Sequence, residues 1–448
     1  MKPNKNKAKS SDIPKLIQAP KGMHDVLPAE ELYWERVESV AREIGRFFNF
    51  SRIDTPILEY ADLFKKTTGE ETDVVEKEMY TLTTKGGDVL ALRPEFTPSI
   101  SRAYLEHGLS RMGQPQKLYY LGPVFRHDRP QLGRFRQFNQ LGFEILGGVN
   151  DPIYDAQIIL MSVSLLEKLG VKNISLKINS IGCRVCRPIY KKQLQNFFKK
   201  KEGELCADCV HRLKTNPLRL LDCKKESCAK ARAEAPNFLD KLCATCSSHF
   251  KGVLEYLDEL RISYALDHQL VRGLDYYNKT VFEIFVEGEG SGVGALAGGG
   301  RYDYLMETLG SHLTPAVGVA CGVERVVSVM KDREVKLAAK PIKRVYLMHA
   351  GDSAKKKALG LIKDLWAQGI PISESLAKGS LRAQLKSADK EGIALALILG
   401  QKEIYENSVI LRNMRTGLQE NFPLDRIVAE IKKRWRELGT THQNHDDA

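Results

Sequence analysis

The chain has 448 residues, of which 43% are hydrophobic and 28% are charged. At about 150 residues per domain, this length predicts roughly three folding units. No apolar run reaches the roughly 18 to 20 residues that a membrane span needs, and no apolar segment follows the lysine-rich N-terminus to act as a secretion signal. These features exclude the membrane and secretory classes and predict a soluble, multidomain protein of the cytoplasm.

The net charge of +12 is unevenly distributed along the chain. Residues 181–250 hold 15 basic and 7 acidic residues, a surplus of +8, and residues 341–440 hold 18 and 11, a surplus of +7. The first fifteen residues add +4, so the rest of the chain is mildly acidic. This arrangement indicates two internal blocks that bind phosphates, although a solvated basic surface has the same composition.

The first half of the chain alternates between helical and extended patterns. Residues 1–20 predict a basic, disordered arm. From Ala29 onward apolar residues recur at helical spacing, and residues 51–60 then predict a strand with Pro56 near an edge or an end. The other predicted elements of this half are strands at 117–125 and 138–147, a helix at 152–168 and a strand at 174–180.

The composition changes at residues 182–255, which are basic and rich in cysteine. Within this segment, residues 188–200 and 235–242 have helical patterns. Strand-forming residues resume after it, so we interpret the segment as an insertion in a larger domain that spans residues 21–335.

The last part of the chain predicts a separate small domain. Upstream of this domain, a glycine-rich stretch that ends at Gly300 predicts a flexible loop. The charged run KDREVKLAAKPIK marks a boundary, and residues 336–342 within it predict a linker. Strand and helix patterns alternate over residues 343–438, which indicates an α/β domain, and residues 439–448 form a tail.

The most concentrated motif runs from Arg126 to Glu144, FRHDRPQLGRFRQFNQLGFE with its leading Phe. In a strand with a period of two, Gln140, Gly142 and Glu144 share one face, opposite to Asn139, Leu141 and Phe143. Such a polar face is typical of the floor of a binding pocket. The preceding loop has enough guanidinium groups to bind phosphates, although an exposed amphipathic hairpin would also fit; these groups are Arg126, Arg129, Arg134 and Arg136.

Two further motifs carry candidate ligand-binding residues. In LVRGLDYYNKTVFEI, Arg272 precedes Tyr276 and Tyr277, a combination that suits a small polar ligand but also simple packing in a sheet. In GVERVVSV, Gly322 permits close approach of a ligand to the backbone, and Arg325 is predicted at the start of a helix.

Together these motifs resemble the histidyl-tRNA synthetases, a family of class II aminoacyl-tRNA synthetases. The resemblance extends from Pro20 to about Leu438 and includes the family's histidine-specific stretches, LVRGLDYYNKTVFE and GGGRYDYL. It implies an α+β fold with an antiparallel catalytic sheet and flanking helices, a helical insertion, and a C-terminal α/β domain, residues 343–438, that binds the anticodon. It also implies a homodimer formed through the first class II motif, the helix and strand that end at Pro56.

The resemblance further implies the ligation of L-histidine to histidine tRNA through histidyl-adenylate, with ATP as substrate and Mg²⁺ neutralising the departing pyrophosphate. Arg126 would contact the α-phosphate, Arg325 the γ-phosphate, and Arg134 would lie near both. Arg272 would stabilise the charge that grows as the histidine carboxylate attacks. Arg272, Arg126 and Arg325 are therefore the predicted catalytic residues.

The same resemblance assigns the recognition of substrates. Glu95 and Thr97, with Gln140, would lie near the amino group of histidine. The imidazole would be bound by Glu144, Tyr276 and Tyr277. Arg129 and Gln131 lie in the loop that approaches the acceptor end of the tRNA in this family. The alternative function is that of a non-catalytic, histidine-binding paralogue that regulates ATP phosphoribosyltransferase, but such paralogues typically lack the anticodon domain.

The cysteines leave two interpretations open. Eight of the nine lie in the insertion, and the first two pairs, Cys183 with Cys186 and Cys206 with Cys209, fit a zinc-ribbon template. The eight thiols could hold two structural zinc ions or remain reduced and packed. The spacing does not decide between these interpretations for Cys183, Cys186, Cys206, Cys209, Cys223, Cys228, Cys243 and Cys246.

Overall fold

The computed structural model describes residues 17–69, 72–287, 293–337 and 343–440. Most of the predicted arm at 1–20, of the linker at 336–342 and of the tail at 439–448 lies outside these residues. The described residues form two compact units, the first of which ends at Leu337. Within these ranges, no helix has both the length and the apolar character needed to cross a membrane.

The first unit contains eleven strands among its described residues. Eight of them form one sheet and three form a small separate sheet. They are β1 Ser51–Arg52, β2 Leu58–Tyr60, β3 Thr81–Thr83, β4 Val89–Leu92, β5 Gln116–Phe125, β6 Gln137–Leu146, β7 Ile174–Ser180, β8 Ala265–Leu266, β9 Asn278–Val286, β10 Ala297–Arg301 and β11 Ala316–Gly322.

Helices flank these strands and form most of the insertion. They are α1 Glu31–Phe47, α2 Ala61–Thr68, α3 Thr97–Glu106, α4 Ile153–Lys168, α5 Cys186–Lys199, α6 Ala207–Thr215, α7 Ala229–Ala233, α8 Ala244–Glu259, α9 Leu305–Thr308 and α10 Val323–Asp332. A short π-helix spans Val74–Glu78, and a 3₁₀ turn spans Pro217–Leu220 in the insertion.

The large sheet has the strand order β1-β5-β6-β11-β10-β9-β7-β8. Its six central strands pair antiparallel, and only the two short edge strands, β1 and β8, pair parallel with their neighbours. The β5–β6 hairpin, predicted from the sequence, is confirmed in full, with Phe125 opposite Gln137 and Gln116 opposite Leu146. The predicted antiparallel catalytic sheet is therefore confirmed.

The two faces of this sheet have different environments. On one face, Leu141, Phe143 and Ile145 of β6 pack into a core with α1, α4 and α10. Helix α1 joins this core because Val37 and Val40 recur at helical spacing and are buried. The other face carries Gln140 and Glu144 and is covered by α3 and the insertion. The predicted alternation along β6 therefore separates an apolar core from a polar pocket.

The structure corrects three predictions of secondary structure. The predicted strand at 51–60 is interrupted, because the Thr55 and Pro56 carbonyls accept hydrogen bonds from the Arg93 guanidinium instead of from a neighbouring strand. The two short strands on either side of the interruption, β1 and β2, belong to different sheets. The glycines before Arg301 form the central strand β10 instead of a loop. Residues 235–242 form only a 3₁₀ turn, since the Asn237 side chain accepts from the Leu239 amide.

The second unit is a small α/β domain, as the sequence predicted. Its sheet has the order β13-β12-β14-β15-β16, in which the first three strands are parallel and the last two antiparallel. The elements are β12 Val345–His349, α11 Asp352–Ala367, β13 Ile372–Glu374, α12 Leu381–Lys390, β14 Leu395–Leu399, α13 Gln401–Tyr405, β15 Ser408–Asn413, β16 Gln419–Pro423 and α14 Ile427–Thr440.

Candidate active site

A cavity of about 530 Å³ opens on the polar face of the large sheet. Four arginines that the sequence singled out line it, together with Gln140 from the floor of the β5–β6 hairpin; these arginines are Arg126, Arg134, Arg272 and Arg325. They come from three separate motifs, and the sheet brings them together because β11, which leads into Arg325, pairs with β6 on one side and with β10 on the other. The arginines therefore concentrate positive charge in a cavity whose lining also includes seven acidic residues.

Arg126 and Arg325 are held by backbone carbonyls and not by carboxylates. The Arg126 Nε donates to the Pro94 carbonyl at 2.9 Å, and Arg325 donates to the carbonyls of Gly133 and Ala295 at 2.8 and 2.7 Å. Neither guanidinium forms an ion pair with a carboxylate in the part of the chain that the structure describes. Both positive charges thus remain available for an anionic ligand.

The cations in the cavity perturb one another. Burial and the nearby charges of Arg134 and Arg126 lower the pKa of Arg325. Of these three arginines, only Arg134 has a carboxylate partner among the described residues, Asp128 at 3.0 Å, and the Arg134 side chain is half exposed. Three cations held close together raise the electrostatic energy of the empty cavity, and an anion bound between them would lower it.

Arg272 enters the cavity from a segment without regular structure that precedes β9. Its guanidinium pairs with Glu283 on β9 and lies 5.3 Å from the centre of the Tyr277 ring. Gly298 on β10 faces it, and a Cβ at that position would lie 2.6 Å from Arg272 Nη1. The glycine of the GGGR sequence therefore provides the space in which this guanidinium lies.

A cluster of buried carboxyl and hydroxyl groups lies beside the cavity. Glu95 accepts hydrogen bonds from Thr68 at 3.0 Å and from the Tyr276 hydroxyl at 2.6 Å. Glu144 accepts from Thr97 at 2.8 Å and from the Tyr302 hydroxyl. Thr97 is thus bonded to Glu144, and Tyr276 is bonded to Glu95.

The two carboxyl groups of this cluster resist ionisation. Burial raises the pKa of Glu144 to about 8, and it also raises the pKa of Glu95. Gln140, which is buried and lines the cavity, has a side-chain oxygen without a hydrogen-bond partner among the described residues. Together they offer donors and acceptors to a small ligand that carries both charged and neutral polar groups.

Two glycines create the space for these groups. A Cβ on Gly318 of β11 would lie 1.5 Å from the Glu144 carboxylate, and a Cβ on Gly142 would lie 2.2 Å from the Tyr120 hydroxyl. Gly318 lies directly opposite Glu144 in the β11–β6 pair. The close approach of side chain to backbone therefore requires glycine in β11.

Arg129 and Gln131 lie apart from the cavity, at the exposed tip of the β5–β6 hairpin. Gln131 forms a bridge with Arg134, which links this tip to the cavity wall. All the other predicted site residues lie in the cavity wall or in the adjacent buried cluster.

Several residues of the site were missed in the sequence. Tyr302 follows directly on the GGGR glycines, and its position in GGGRYDYL was the available signal. Glu283 and Glu324 line the cavity. Glu324 accepts from the backbone and side-chain amides of Asn139, and burial raises its pKa to about 7.

The insertion forms one wall of the same cavity. Arg212 and Arg219 both donate to Asp73, at 3.0 and 2.7 Å, and all three line the cavity. No local motif marks Asp73, which is more than 130 residues away in sequence. Lys224 and Lys225 of the insertion also face this space.

The cysteines of the insertion form two groups of four. The outer tetrad is Cys183, Cys186, Cys243 and Cys246, and the inner tetrad is Cys206, Cys209, Cys223 and Cys228; in each, all sulfur atoms lie within 4.8 Å of one another. The first two CxxC pairs therefore do not share a site as the zinc-ribbon template predicts. The chain folds back on itself, so the first pair meets the last pair and the inner tetrad is nested between them.

The sulfur spacing matches a tetrahedral thiolate site. Four sulfurs at about 2.3 Å from one zinc ion would be about 3.8 Å apart. The measured Sγ–Sγ distances are 3.8 Å for Cys183–Cys186 and Cys183–Cys243, and 3.9 Å for Cys186–Cys246. Each is far from the roughly 2 Å of a disulfide, and none of the nine cysteines is in a disulfide.

The antiparallel sheet, the arginine-lined cavity on its polar face and the separate α/β unit define a class II aminoacyl-tRNA synthetase. A family model described as histidyl-tRNA synthetase matches residues 22–326, and one described as an anticodon binding domain matches residues 344–434. The chain belongs to the histidyl-tRNA synthetase family.

Curated relatives agree with this placement. A histidine–tRNA ligase of Dehalococcoides mccartyi is 44% identical over 93% of this chain and 100% of its own length. One of Halothermothrix orenii is 43% identical over 93% of this chain and 99% of its own length. The apo crystal structure of the S. aureus histidyl-tRNA synthetase is 33% identical, with a TM-score of 0.77, and covers 93% of this chain and all of that one. The predicted family, fold class and enzyme class, a histidine–tRNA ligase, are confirmed.

Proposed function

We propose that the cavity and the adjacent buried cluster together activate L-histidine with ATP and transfer it to the 3′ end of histidine tRNA. The observation that carries this proposal is the convergence of Arg126 and Arg325 on one cavity without carboxylate partners among the described residues. A triphosphate supplies the missing negative charge. The buried carboxyl cluster beside it supplies the partners of an amino acid with a polar side chain.

The arginines divide the phosphates between them. Arg126 contacts the α-phosphate and Arg325 the γ-phosphate, with Arg134 close to both. Arg272 stabilises the charge that develops on the α-phosphate when the histidine carboxylate attacks it, so it acts chiefly in the transition state. Its buried position beside Tyr277 supports this role, because an electrostatic contact is stronger where water is excluded.

Glu78 and Glu324 would hold the magnesium ion that accompanies ATP, and the ion would supply positive charge to the departing pyrophosphate. The cavity wall includes the carboxylates of Glu78 and Glu324, and carboxylate oxygens are ligands that Mg²⁺ prefers. The residues present therefore suit a magnesium–nucleotide complex.

Histidine binds in the buried cluster. Glu95 and Gln140, with Thr97 nearby, bind its amino group, and Glu144, Tyr276 and Tyr277 form the imidazole site, to which we add Tyr302 because it bonds to Glu144. A carboxyl group with a pKa near 8 can present a proton to one imidazole nitrogen at neutral pH. Amino acids that lack both ring nitrogens would leave these buried groups without partners.

The tRNA contacts the basic segments and the hairpin tip. The insertion, with its surplus of +8, binds the acceptor stem, Arg129 and Gln131 approach the acceptor end, and residues 343–438 bind the anticodon. Because protein synthesis takes place in the cytoplasm, we expect this activity there, where the thiols of the insertion stay reduced.

The active form is a homodimer. Large apolar side chains are exposed on the isolated chain within the first class II motif, at Phe47, and directly after it, at Ile57, Leu58 and Tyr60, with Phe47 82% exposed. Exposed large apolar side chains are enriched where subunits meet. Sedimentation of the full chain should give twice its 50.4 kDa mass, and a purely monomeric species at micromolar concentration would contradict the proposal.

Each cysteine tetrad binds one structural Zn²⁺ ion. Tetrathiolate zinc sites have this ligand number and sulfur spacing. Protein purified without chelators should contain two zinc ions per chain by elemental analysis. Fewer than about half an ion per chain would rule out zinc at both sites.

Histidine-dependent exchange of pyrophosphate into ATP tests the main proposal. Arg272→Ala should retain histidine binding and lose at least about 10²-fold in activation, because its contact forms in the transition state. A protein that binds histidine without supporting exchange would contradict the enzyme assignment. A loss confined to the Michaelis constant for histidine would contradict the role of Arg272.

A further inference from the structure

The segment between the two ligand pairs of the inner tetrad is the part of the insertion that contacts the catalytic body. Cys206 and Cys209 lie at the start of α6, and Cys223 and Cys228 follow the Pro217–Leu220 turn. The intervening residues carry Arg212, Asn216 and Arg219. A metal bound by the four sulfurs would therefore join both ends of this segment and limit its movement.

This segment donates three hydrogen bonds to two carboxylates of the body. Arg212 and Arg219 donate to the same Asp73 carboxylate oxygen, at 3.0 and 2.7 Å. The Asn216 side-chain amide donates to Asp275 at 3.0 Å, and Asn216 is buried. Asp275 in turn receives support from α2, because its backbone amide donates to the Thr68 carbonyl.

Both contacts lie against the residues that position Arg272. Asp275 follows Arg272 by three residues, in a segment that has no strand partners of its own. A Cβ on Gly273 would lie 3.0 Å from Arg219 Nη1, so the insertion packs directly on the residue that follows Arg272. The inner segment thus contacts the backbone directly after Arg272, while the Arg272 guanidinium lies against Gly298 of β10.

The outer tetrad contacts the body farther from Arg272: Arg187, the residue after Cys186, donates to the carbonyl of Tyr277, which lies five residues beyond Arg272. It joins the first and last helices of the insertion at their N-terminal ends, around Cys183 and Cys243. None of its four cysteines lines the cavity, whereas Cys223 of the inner tetrad does. The two sites are alike in ligands but differ in what they hold in place.

We propose that the metal at the inner tetrad positions Arg272, by holding Asn216 and Arg219 against Asp275 and Gly273, while the metal at the outer tetrad joins the ends of the insertion beside Tyr277 and does not position Arg272. This inference rests on the zinc sites and on the role of Arg272 proposed above. The inner metal is not catalytic, because it acts on the reaction only through Arg272. Its loss should lower the rate of adenylate formation and leave histidine affinity nearly unchanged.

The chain offers a closely matched pair of variants. Cys206 and Cys243 each precede the first turn of a helix, with φ,ψ of −73°,161° and −68°,161°, and both are partly exposed. Serine is a favourable residue at this position of a helix, so Cys206→Ser and Cys243→Ser should each preserve the helix start while removing one thiolate. Each is expected to lower the zinc content from two ions per chain to about one.

Kinetics of histidine-dependent pyrophosphate exchange then separate the two sites. Cys206→Ser should lose at least about 10-fold in kcat with the histidine KM within about twofold, and Cys243→Ser should remain within about threefold of the parent kcat. Cys206→His, which restores a zinc ligand, should recover the second zinc ion and most of the lost kcat. Equal loss of kcat in both serine variants, each with one zinc ion, would overturn the positioning role and leave the zinc sites standing.

A second variant leaves all eight cysteines intact. Asn216→Asp places a carboxylate against Asp275, so it should retain two zinc ions and reproduce the kcat defect of Cys206→Ser even if that variant folds poorly. An unchanged kcat in Asn216→Asp would overturn the inference. Absence of zinc from the parent protein would instead overturn the zinc proposal and this inference with it.

Discussion

Gly318→Ala tests the proposed imidazole site without changing any of its polar groups. A Cβ on Gly318 would lie 1.5 Å from Glu144 Oε2 and 2.9 Å from the Phe143 carbonyl oxygen. The carboxylate would have to retreat by about 1.9 Å to reach the 3.4 Å of ordinary contact. The side chain cannot make this movement and keep its hydrogen bonds from Thr97 and Tyr302.

The expected magnitude follows from these two hydrogen bonds. With its pKa raised to about 8, Glu144 is mostly protonated at neutral pH, and a hydrogen bond between neutral groups contributes about 0.5–1.5 kcal/mol. Losing the geometry of both bonds should cost about 2 kcal/mol of binding free energy, which corresponds to about 30-fold weaker histidine binding. The binding of ATP, which depends on the arginines of the cavity, should change much less.

Isothermal titration of the variant with histidine and, separately, with ATP measures both effects. Gly203→Ala is the matched control, because a Cβ there would meet no atom within 4 Å. Histidine affinity within threefold of the parent protein would refute the reasoning, since it would mean that the Glu144 carboxylate is not part of the site. Equal weakening of both ligands would indicate a general distortion of the sheet.

Three further predictions concern the same part of the molecule. Burial raises the pKa of Glu144 from 4.5 to about 8, so the folded chain keeps a proton that the unfolded chain loses over this range, and stability falls as pH rises. The free energy of unfolding of Glu144→Gln, relative to that of the parent protein, should therefore rise by up to about 1.4 kcal/mol per pH unit between pH 5 and 8. Denaturant unfolding at several pH values measures this difference. A difference that stays constant with pH would contradict the prediction. Gly298→Ala would place a Cβ 2.6 Å from Arg272 Nη1. It should lower kcat for exchange by at least about 10-fold with little change in histidine affinity. An unchanged kcat with weaker histidine binding would exclude the proposed geometry. Arg301→Met should lower the free energy of unfolding by about 3–5 kcal/mol, because it removes the guanidinium that bridges the buried Asp155 and Asp303 and leaves only Asp303 with a lysine partner, Lys279. Calorimetry should show a lower unfolding temperature of the first unit, and an unchanged temperature would count against the pairing.

Local pattern was sufficient where neighbours in sequence determine the structure. The alternation along residues 138–146 predicted both the strand and its polar face, because a strand places Gln140 and Glu144 on one side whatever lies opposite. The arginines of the three class II motifs and the histidine-specific stretches were likewise readable, and they identified the family. These features depend on residues within one element.

The structure decided whatever depends on pairing between distant segments. The spacing in the sequence suggested that the pair beginning at Cys183 and the pair beginning at Cys206 share one site. The fold instead places Cys183 beside Cys243, since α5 and α8 begin side by side. The GGGR glycines formed a central strand because β9 and β11 lie on both sides and leave no room for side chains.

For this protein, therefore, the sequence alone determined the family, the catalytic hairpin and the identity of the charged residues. Only the tertiary structure decided which carboxyl meets which hydroxyl, which cysteines share a site and which part of the insertion abuts Arg272. The physical reason is that burial and close contact arise between segments far apart in the chain, as between Asp73 and Arg219. No local periodicity records such contacts, and they set the charge, the pKa values and the space of the site.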